Sequence, residues 1–586
     1  MLSFAAIGGL LTAATIAAAS RGDGAVQAKP AAAAKPAAPV KPAAPAAASA
    51  SAAPAASAAS PGQMPLGPSG PGTSVDSWPT YNGDYSGRRF SPLTKVNESN
   101  VTSLSLAWVH RAAPPASAAT GGFAFSSVIK GTPVQVDGIL YYTLPDHVWA
   151  LDARSGREIW HHSWTSKGGI HIGNRGIGIL GDSVYFETPD CHLVALNKAD
   201  GKEQWRQSIC DLDQFYYASV APVIIKNHVI AGVSGDDLDV PGYLDARDPK
   251  TGELQWRWWV VPQKKGDPGS ESWPNEDAMK HGGGMTWQPV TYDPDLNLLY
   301  VVTGNPQPVI AHVNRAGDNL FTASIVALDV DTGKMAWYFQ SSPHDTHDWD
   351  STQTPVLFDA EIKGQKRKLL AQAARNGHFF VLDRTSGQAL VSSEYVKSNW
   401  AKGYDAKGQP IPDPAKMPQA DGALVSPNQG GATNWPPPSF SPASGLFYVS
   451  ASRAFSVYYI YDTSDNPQGW GGTDRGGYAE SMIQAIDYRD GKVRWTHKWE
   501  GTGMSGLLTT AGNLLFAGDG NSNNFVALRA TTGEPLWHAN LAAPVSNGPI
   551  TYELDGTQYV LVAAGDTLWS FIMHPPSTPT TSSGAQ

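Results

Sequence analysis

Cysteine is nearly absent from this 586-residue chain, which has only Cys191 and Cys210. That excludes four-cysteine zinc sites, cysteine-ligated iron–sulfur clusters and any CxxCH haem attachment. If electrons leave this chain, a separate protein carries them. Charge is scarce as well: 16% of residues are Asp, Glu, Lys or Arg, against about 25% in an ordinary soluble protein, which leaves little for long solvated helices. Basic residues are outnumbered 42 to 52, for a net charge of −10. The few charges before residue 76 (Arg21, Asp23, Lys29, Lys35 and Lys41) are net positive, so the remainder is more acidic still. Such a surface repels phosphate backbones, and no nucleic-acid partner is expected.

What is abundant is glycine (60), proline (45) and aromatic residues, with 20 Trp, 21 Tyr and 17 Phe. So many aromatics build a large core, and so many turn formers break it into short elements. Residues 2–20 are uncharged, end in small residues and read as an export segment. No basic residue precedes them and they are barely long enough to span a bilayer, so residues 1–24 are expected to be a signal peptide or an uncleaved N-terminal anchor. Residues 25–75 are an Ala/Pro-rich linker expected to be disordered, and 575–586 a disordered tail. The expected location is periplasmic, with a membrane tether if the first segment is retained. Cys191 and Cys210 flank the "NKADGK" turn at nearly equal distances, and in an oxidising compartment they are expected to pair; two free buried thiols are the alternative.

Between residues 76 and 574 one pattern recurs: a short apolar strand, an apolar-Ala-Leu-Asp run, a Gly turn and a strand ending in Trp. It reads "VWALDARSGREIW" to Trp160, "LVALNKADGKEQW" to Trp205, "YLDARDPKTGELQW" to Trp256, "IVALDVDTGKMAW" to Trp337, "IQAIDYRDGKVRW" to Trp495 and "FVALRATTGEPLW" to Trp537. "LSLAW" at Trp108 and "FVLDRTSGQALV", which lacks its Trp, bring the count to eight units. Most intervals are about 49 residues, the length of four short strands with turns, so the fold expected is an all-β, eight-bladed β-propeller in which each Trp docks one blade on the next. Two long intervals mark insertions around 257–290 and 392–443, and residues 566–574 are expected to close the ring.

These units, together with the opening "SWPTYNGDYSGRRFSPLTKVNESNV", resemble the pyrroloquinoline quinone (PQQ) dependent alcohol dehydrogenases from about Trp78 to Ile572. The resemblance implies PQQ and one cation as cofactors and assigns roles residue by residue. Asn305 in "TGNPQP" and Asp237 in "VSGDDLDVPGYL" match cation ligands, although the family usually has Glu at the second place. Asn305-Pro306 alone also reads as a strand-end turn, and Asp236, Asp237 and Asp239 as a solvated acidic loop. "HDWDSTQTP" places the catalytic base on Asp348, which also reaches the cation. Asp350, two residues on, matches the second aspartate of lanthanide-using members, so a lanthanide is the expected ion and calcium the alternative; Asp350 as a turn residue stays open. His344 and His347 beside Asp345 alternatively suggest a transition-metal site.

For the cofactor, Trp287 matches the ring-stacking tryptophan, Arg175 and Ser234 groups that bond PQQ, and Arg375 and Asn434 donors to its polar edge. Each also has an ordinary structural reading as core, ion pair or turn. The sequence departs from the family at Gly169 and Ile170, where adjacent cysteines are common, at Lys130, where a glutamate is common, and at Met504, which stands for a tryptophan of some members. The activity implied is oxidation of a small alcohol to an aldehyde, with electrons passing to a separate cytochrome c or similar acceptor. A PQQ-dependent sugar or polyol dehydrogenase and a non-catalytic propeller scaffold are the alternatives, and a homodimer is left open.

Overall fold

The computed structural model describes residues 75–112, 128–170, 172–235, 238–499, 501–520 and 522–574. The export segment, all but the end of the linker and the tail at 575–586 lie outside the described residues. No helix among the described residues is long and apolar enough to cross a membrane.

Each repeat folds into an antiparallel meander for reasons visible in its sequence. In the unit Val134–Val136, Ile139–Leu144, His147–Asp152 and Glu158–Ser163, the first turn is Asp137-Gly138, with φ of 55° and 76°. Two consecutive positive φ values make the tight hairpin turn that Asp-Gly favours. The two middle strands are almost wholly buried, whereas the last strand buries only Trp160 fully. Apolar side chains on both faces of the inner strands therefore pack against the neighbouring sheets. The described residues form six four-stranded sheets, two five-stranded sheets and a two-stranded ribbon.

The repeated Trp and Gly lock these sheets together. The ring of Trp108 lies against Gly156 of the next unit, and Trp160 against Gly201, Trp205 against Gly252, Trp256 against Gly333, Trp337 against Gly387 and Trp495 against Gly533. Several indole N–H groups donate across the same junction, as from Trp160 to the Lys198 carbonyl (3.0 Å), Trp256 to Val330 (2.9 Å) and Trp337 to Arg384 (3.1 Å). In the unit lacking its Trp, Val391 and Ser393 fill the space against Gly491. Trp537 donates to the Leu104 carbonyl (3.0 Å), and Leu104–Arg111 pairs with Thr567–Met573, so one sheet contains strands from both ends of the described chain.

The insertions differ from ordinary blade loops. The first holds the short helix Glu276–Lys280 and leads into Trp287. The second holds the ribbon of Ala401–Tyr404 and Pro410–Pro412 and the strand Ala423–Val425. That last strand pairs with an overhang unexpected from the repeat: Leu446–Ile460 and Gly472–Asp487 run for 15 and 16 residues. Their distal part is built into an apolar cluster with Val309, Ile310, Trp349 and Trp400, which gives the extra length a core of its own. Cys191 and Cys210 form a disulfide, with Cα atoms 5.0 Å apart.

Candidate active site

The segment 342–350 is held in place before it can act. Asp345 accepts from the backbone N–H of Trp349 (2.9 Å) and of His347 (3.4 Å), bracketing Asp348, whose φ is 66°. Aspartate tolerates that left-handed geometry when its neighbours fix it. Trp349 is buried, stacks on His347 and donates from its indole to the Asn428 carbonyl (3.0 Å). Arg315, fully buried, donates to the carbonyls of Pro308 (2.7 Å), Val309 (3.0 Å) and Asp345 (2.6 Å) and to the Asn319 side chain (2.8 Å). It thereby ties the turn after Asn305 to the turn before Asp348.

A charge cluster follows from this frame. Arg375 donates to Asp348 Oδ2 (2.8 Å) and to Asp350 Oδ2 (3.0 Å). The Asn305 backbone N–H donates to the other Asp350 oxygen (2.6 Å). Gln429 donates its side-chain amide to Asp348 Oδ2, and its carbonyl accepts from Arg375 Nε (3.2 Å) and Nη2 (2.8 Å). Burial pushes both carboxyls up, Asp350 to about 7, with Arg375 opposing the shift at each and Asp348 adding to it at Asp350. Burial works against the Arg375 charge, but Asp348, Asp350 and Asp345 outweigh it and hold that guanidinium above its ordinary pKa.

The second group lies beside the first, because Gly284 donates to the Asn305 carbonyl and Gly304 to that of Met285, both at 2.8 Å. The Arg175 guanidinium sits 4.4 Å from the ring centre of Trp287 and 5.9 Å from that of Trp435. It donates to the Ser219 hydroxyl (2.9 Å), which meets the Ser234 hydroxyl at 3.2 Å. Asn434 bonds within its own loop, donating to the Gly430 carbonyl (3.0 Å) and accepting from Trp435 N–H (2.8 Å). Lys130 Nζ donates to the Ile172 carbonyl (2.7 Å); burial and then Arg175 lower its pKa to about 8. The cystine packs in one apolar cluster with Tyr216, Met285 and Trp287, which ties it to this group.

Asp348, Asp350, Asn305 and Arg375 thus come together, as do Arg175, Ser234 and Trp287; Asn434 joins them only through its neighbour Trp435. Asp237 lies outside the described residues. His344 and His347 are spent on other bonds, to the Gly317 carbonyl and His312 and to the Lys416 carbonyl. Among the described residues no group of three or more His, Cys, Asp or Glu is arranged around a metal position. The Asn305 amide oxygen, however, is buried without a hydrogen-bond partner. An orphan oxygen beside two carboxylates fits a hard cation, and a buried guanidinium held over the Trp287 ring offers a cation and an aromatic surface of the kind an anionic aromatic cofactor uses. Asp345, read from the sequence only as a neighbour of the two histidines, holds the backbone around Asp348 instead; Arg315, Ser219, Gln429 and Trp435 are not singled out by the sequence, and only burial and long-range contact reveal them.

Comparison with known proteins gives a consistent result. Residues 78–421 and 491–560 match the family model for the β-propeller domain of PQQ glucose/ethanol/alcohol dehydrogenases. A quinohemoprotein alcohol dehydrogenase of Comamonas testosteroni is 37% identical over 531 residues, covering 83% of this chain and 72% of the relative. The structure of quinohemoprotein alcohol dehydrogenase ADHIIG from Pseudomonas putida HK5 superposes with a TM-score of 0.80 at 30% identity, covering 87% of this chain and 83% of the other. That of a europium-containing methanol dehydrogenase superposes with a TM-score of 0.75 at 27% identity, covering 85% and 98%.

Proposed function

Because the chain belongs to the family of PQQ-dependent alcohol dehydrogenases, we propose that Asp348 is the general base of its alcohol oxidation and that Asn305, Asp348, Asp350 and Asp237 hold the cation. The observation that carries this is the asymmetry of Asp348: Oδ2 is held by Arg375 and Gln429, while Oδ1 has no hydrogen bond from any described residue. One oxygen anchors the carboxylate and the other is left to take the substrate hydroxyl proton. Bound PQQ supplies the two-electron acceptor and the cation the Lewis acid that the oxidation requires. Trp287 gives the cofactor a flat floor, and Arg175, through Ser219 and Ser234, supplies donors at one edge. Arg375 keeps a fixed positive charge beside both aspartates and stabilises negative charge that develops on reduction.

Asp350 favours a lanthanide over calcium. Three carboxylates nearly neutralise a trivalent ion, whereas around a divalent ion like charges are left facing one another. The Cys191–Cys210 disulfide and the apolar segment at residues 2–20 support export to the periplasm, and the shortage of cysteine supports a separate acceptor such as cytochrome c. The test is reconstitution with PQQ and either calcium or lanthanum, followed by calorimetric metal binding and dye-linked oxidation of an alcohol panel. Lanthanum is expected to support the higher activity and to bind more tightly. Asp350→Ala should lose lanthanum binding and activity much more than calcium binding and activity. Equal behaviour with both ions, unchanged in the variant, returns Asp350 to a structural role and the ion to calcium.

A further inference from the structure

The overhanging hairpin carries a carboxylate that the chemistry above does not use. In its distal part Ala423 pairs with Tyr458 and Tyr458 with Asp474, and two residues along, on the same face, Val425 pairs with Ser456 and Ser456 with Gly476. Directly opposed residues of antiparallel strands project to the same face. Ala423, Val425, Ser456 and Tyr458 are all buried, which makes this the inner face, whereas Leu424, on the opposite face, is half exposed to solvent. Tyr458 reaches from the inner face to the carbonyl of His347 (3.4 Å), the residue before Asp348. Asp474, beside it, therefore looks toward the base, and its negative charge is felt at both Asp348 and Tyr458.

Asp474 is half-buried and makes no side-chain hydrogen bond or ion pair with any described residue. Two residues along on the same face, the buried Ser456 hydroxyl is also without a hydrogen-bond partner. A wall of alanine, valine, tyrosine and one serine thus holds a carboxylate that accepts no hydrogen bond from another described side chain or backbone group. A half-buried carboxylate is satisfied by water, and a ligand tail that displaces this water without donating in its place is disfavoured, whereas one that donates is selected.

We propose that Asp474 reads the tail of the substrate and selects alcohols that carry a second hydrogen-bond donor, a hydroxyl or an ammonium group, over plain alkanols and over hydroxy acids. This rests on the reading of Asp348 as the base. An alkyl tail lays methylene groups against the carboxylate and gives it no partner. A tail ending in carboxylate meets a like charge. A tail ending in hydroxyl donates to it, and one ending in ammonium pairs with it.

A structural role competes with this one. The distal half of Gly472–Asp487 is an edge strand, since Val493–Trp499 pairs with it only from Ser481 onward, and an inward-pointing charge is one way to guard an edge against pairing with another chain. The experiment compares the PQQ- and metal-loaded parent with Asp474→Ala and Asp474→Asn. The substrates are 1-pentanol, 1,4-butanediol, 4-amino-1-butanol and 4-hydroxybutyrate, which differ at the terminal group, and kcat/KM is measured for each.

In the parent the diol and amino alcohol should exceed 1-pentanol, with the hydroxy acid last. Asp474→Ala should lower the diol-to-pentanol ratio by about tenfold or more. Asp474→Asn, which keeps an acceptor oxygen but not the charge, should retain the diol preference, lose the amino-alcohol preference and accept the hydroxy acid better. Ratios unchanged in both variants overturn the inference while leaving the alcohol dehydrogenase intact. Unchanged ratios with a shift to larger species on size-exclusion assign Asp474 to edge protection. If the loaded parent oxidises none of the four, the reading of Asp348 falls and this inference falls with it.

Discussion

At the scale of single residues, Asp348 shows how much positioning a base requires. Its backbone is held by Asp345, its carboxylate by Arg375 and Gln429, and the turn beneath it by Arg315. Asp348→Asn keeps the shape but cannot accept the hydroxyl proton, so turnover should fall by about 10² to 10⁴ while PQQ binding, followed by absorbance titration, persists; parent-like turnover would place the base elsewhere. A second residue makes a pH prediction. Glu187 is fully buried and accepts from the backbone N–H of Val220 (2.8 Å) and Gly232 (3.2 Å), and burial pushes its carboxyl up to about 8. Between the ordinary carboxyl range and pH 8 the folded chain holds a proton that the unfolded chain has released. The stability linked to that proton is complete in acid and is lost as pH rises through about 8. Melting temperature should therefore fall less steeply from pH 5 to 9 in Glu187→Gln than in the parent; identical slopes would mean the group ionises freely.

At the scale of elements, the junction between sheets is a glycine under a tryptophan. Gly333 has φ of 67°, and a Cβ there would lie 2.6 Å from the Trp256 ring. Gly333→Ala meets both left-handed strain of about 1–2 kcal/mol and the cost of displacing a packed indole. It should lower the urea midpoint with little change in slope; an unchanged midpoint would show that the indole moves aside freely. These junctions are legible in the sequence because every repeat but those ending at Trp108 and Val391 writes its own Trp and Gly at fixed places. Arg315 and Gln429 are not legible, because each acts through partners far along the chain and leaves no periodic trace. The overhanging hairpin is missed for a related reason: its extra residues follow Ala423–Val425, which lies in an insertion, and not the repeat.

At the scale of the whole molecule, the net charge of −10 shapes the encounter with an electron acceptor. With a positively charged acceptor protein the rate should fall as ionic strength rises from about 0.01 to 0.2 M, because screening shortens the reach of the field; with a neutral dye it should hardly change. Equal salt dependence for both would remove steering from the account. The ring, read easily from the repeats, also has the closure expected at residues 566–574: Leu104–Arg111 pairs with Thr567–Met573, which joins Leu104 to Met573 across the length of the described chain. At synthesis rates of about 5–20 residues per second, the first of these strands waits roughly half a minute or longer for its partner to exist. Until then its edge stays open, as does the matching edge of the last sheet. The sheets between them can form in order as they emerge, but the sheet that carries strands from both ends of the described chain is complete only when the final strand docks. The period before that docking is when the nascent chain is most exposed to pairing with a second copy.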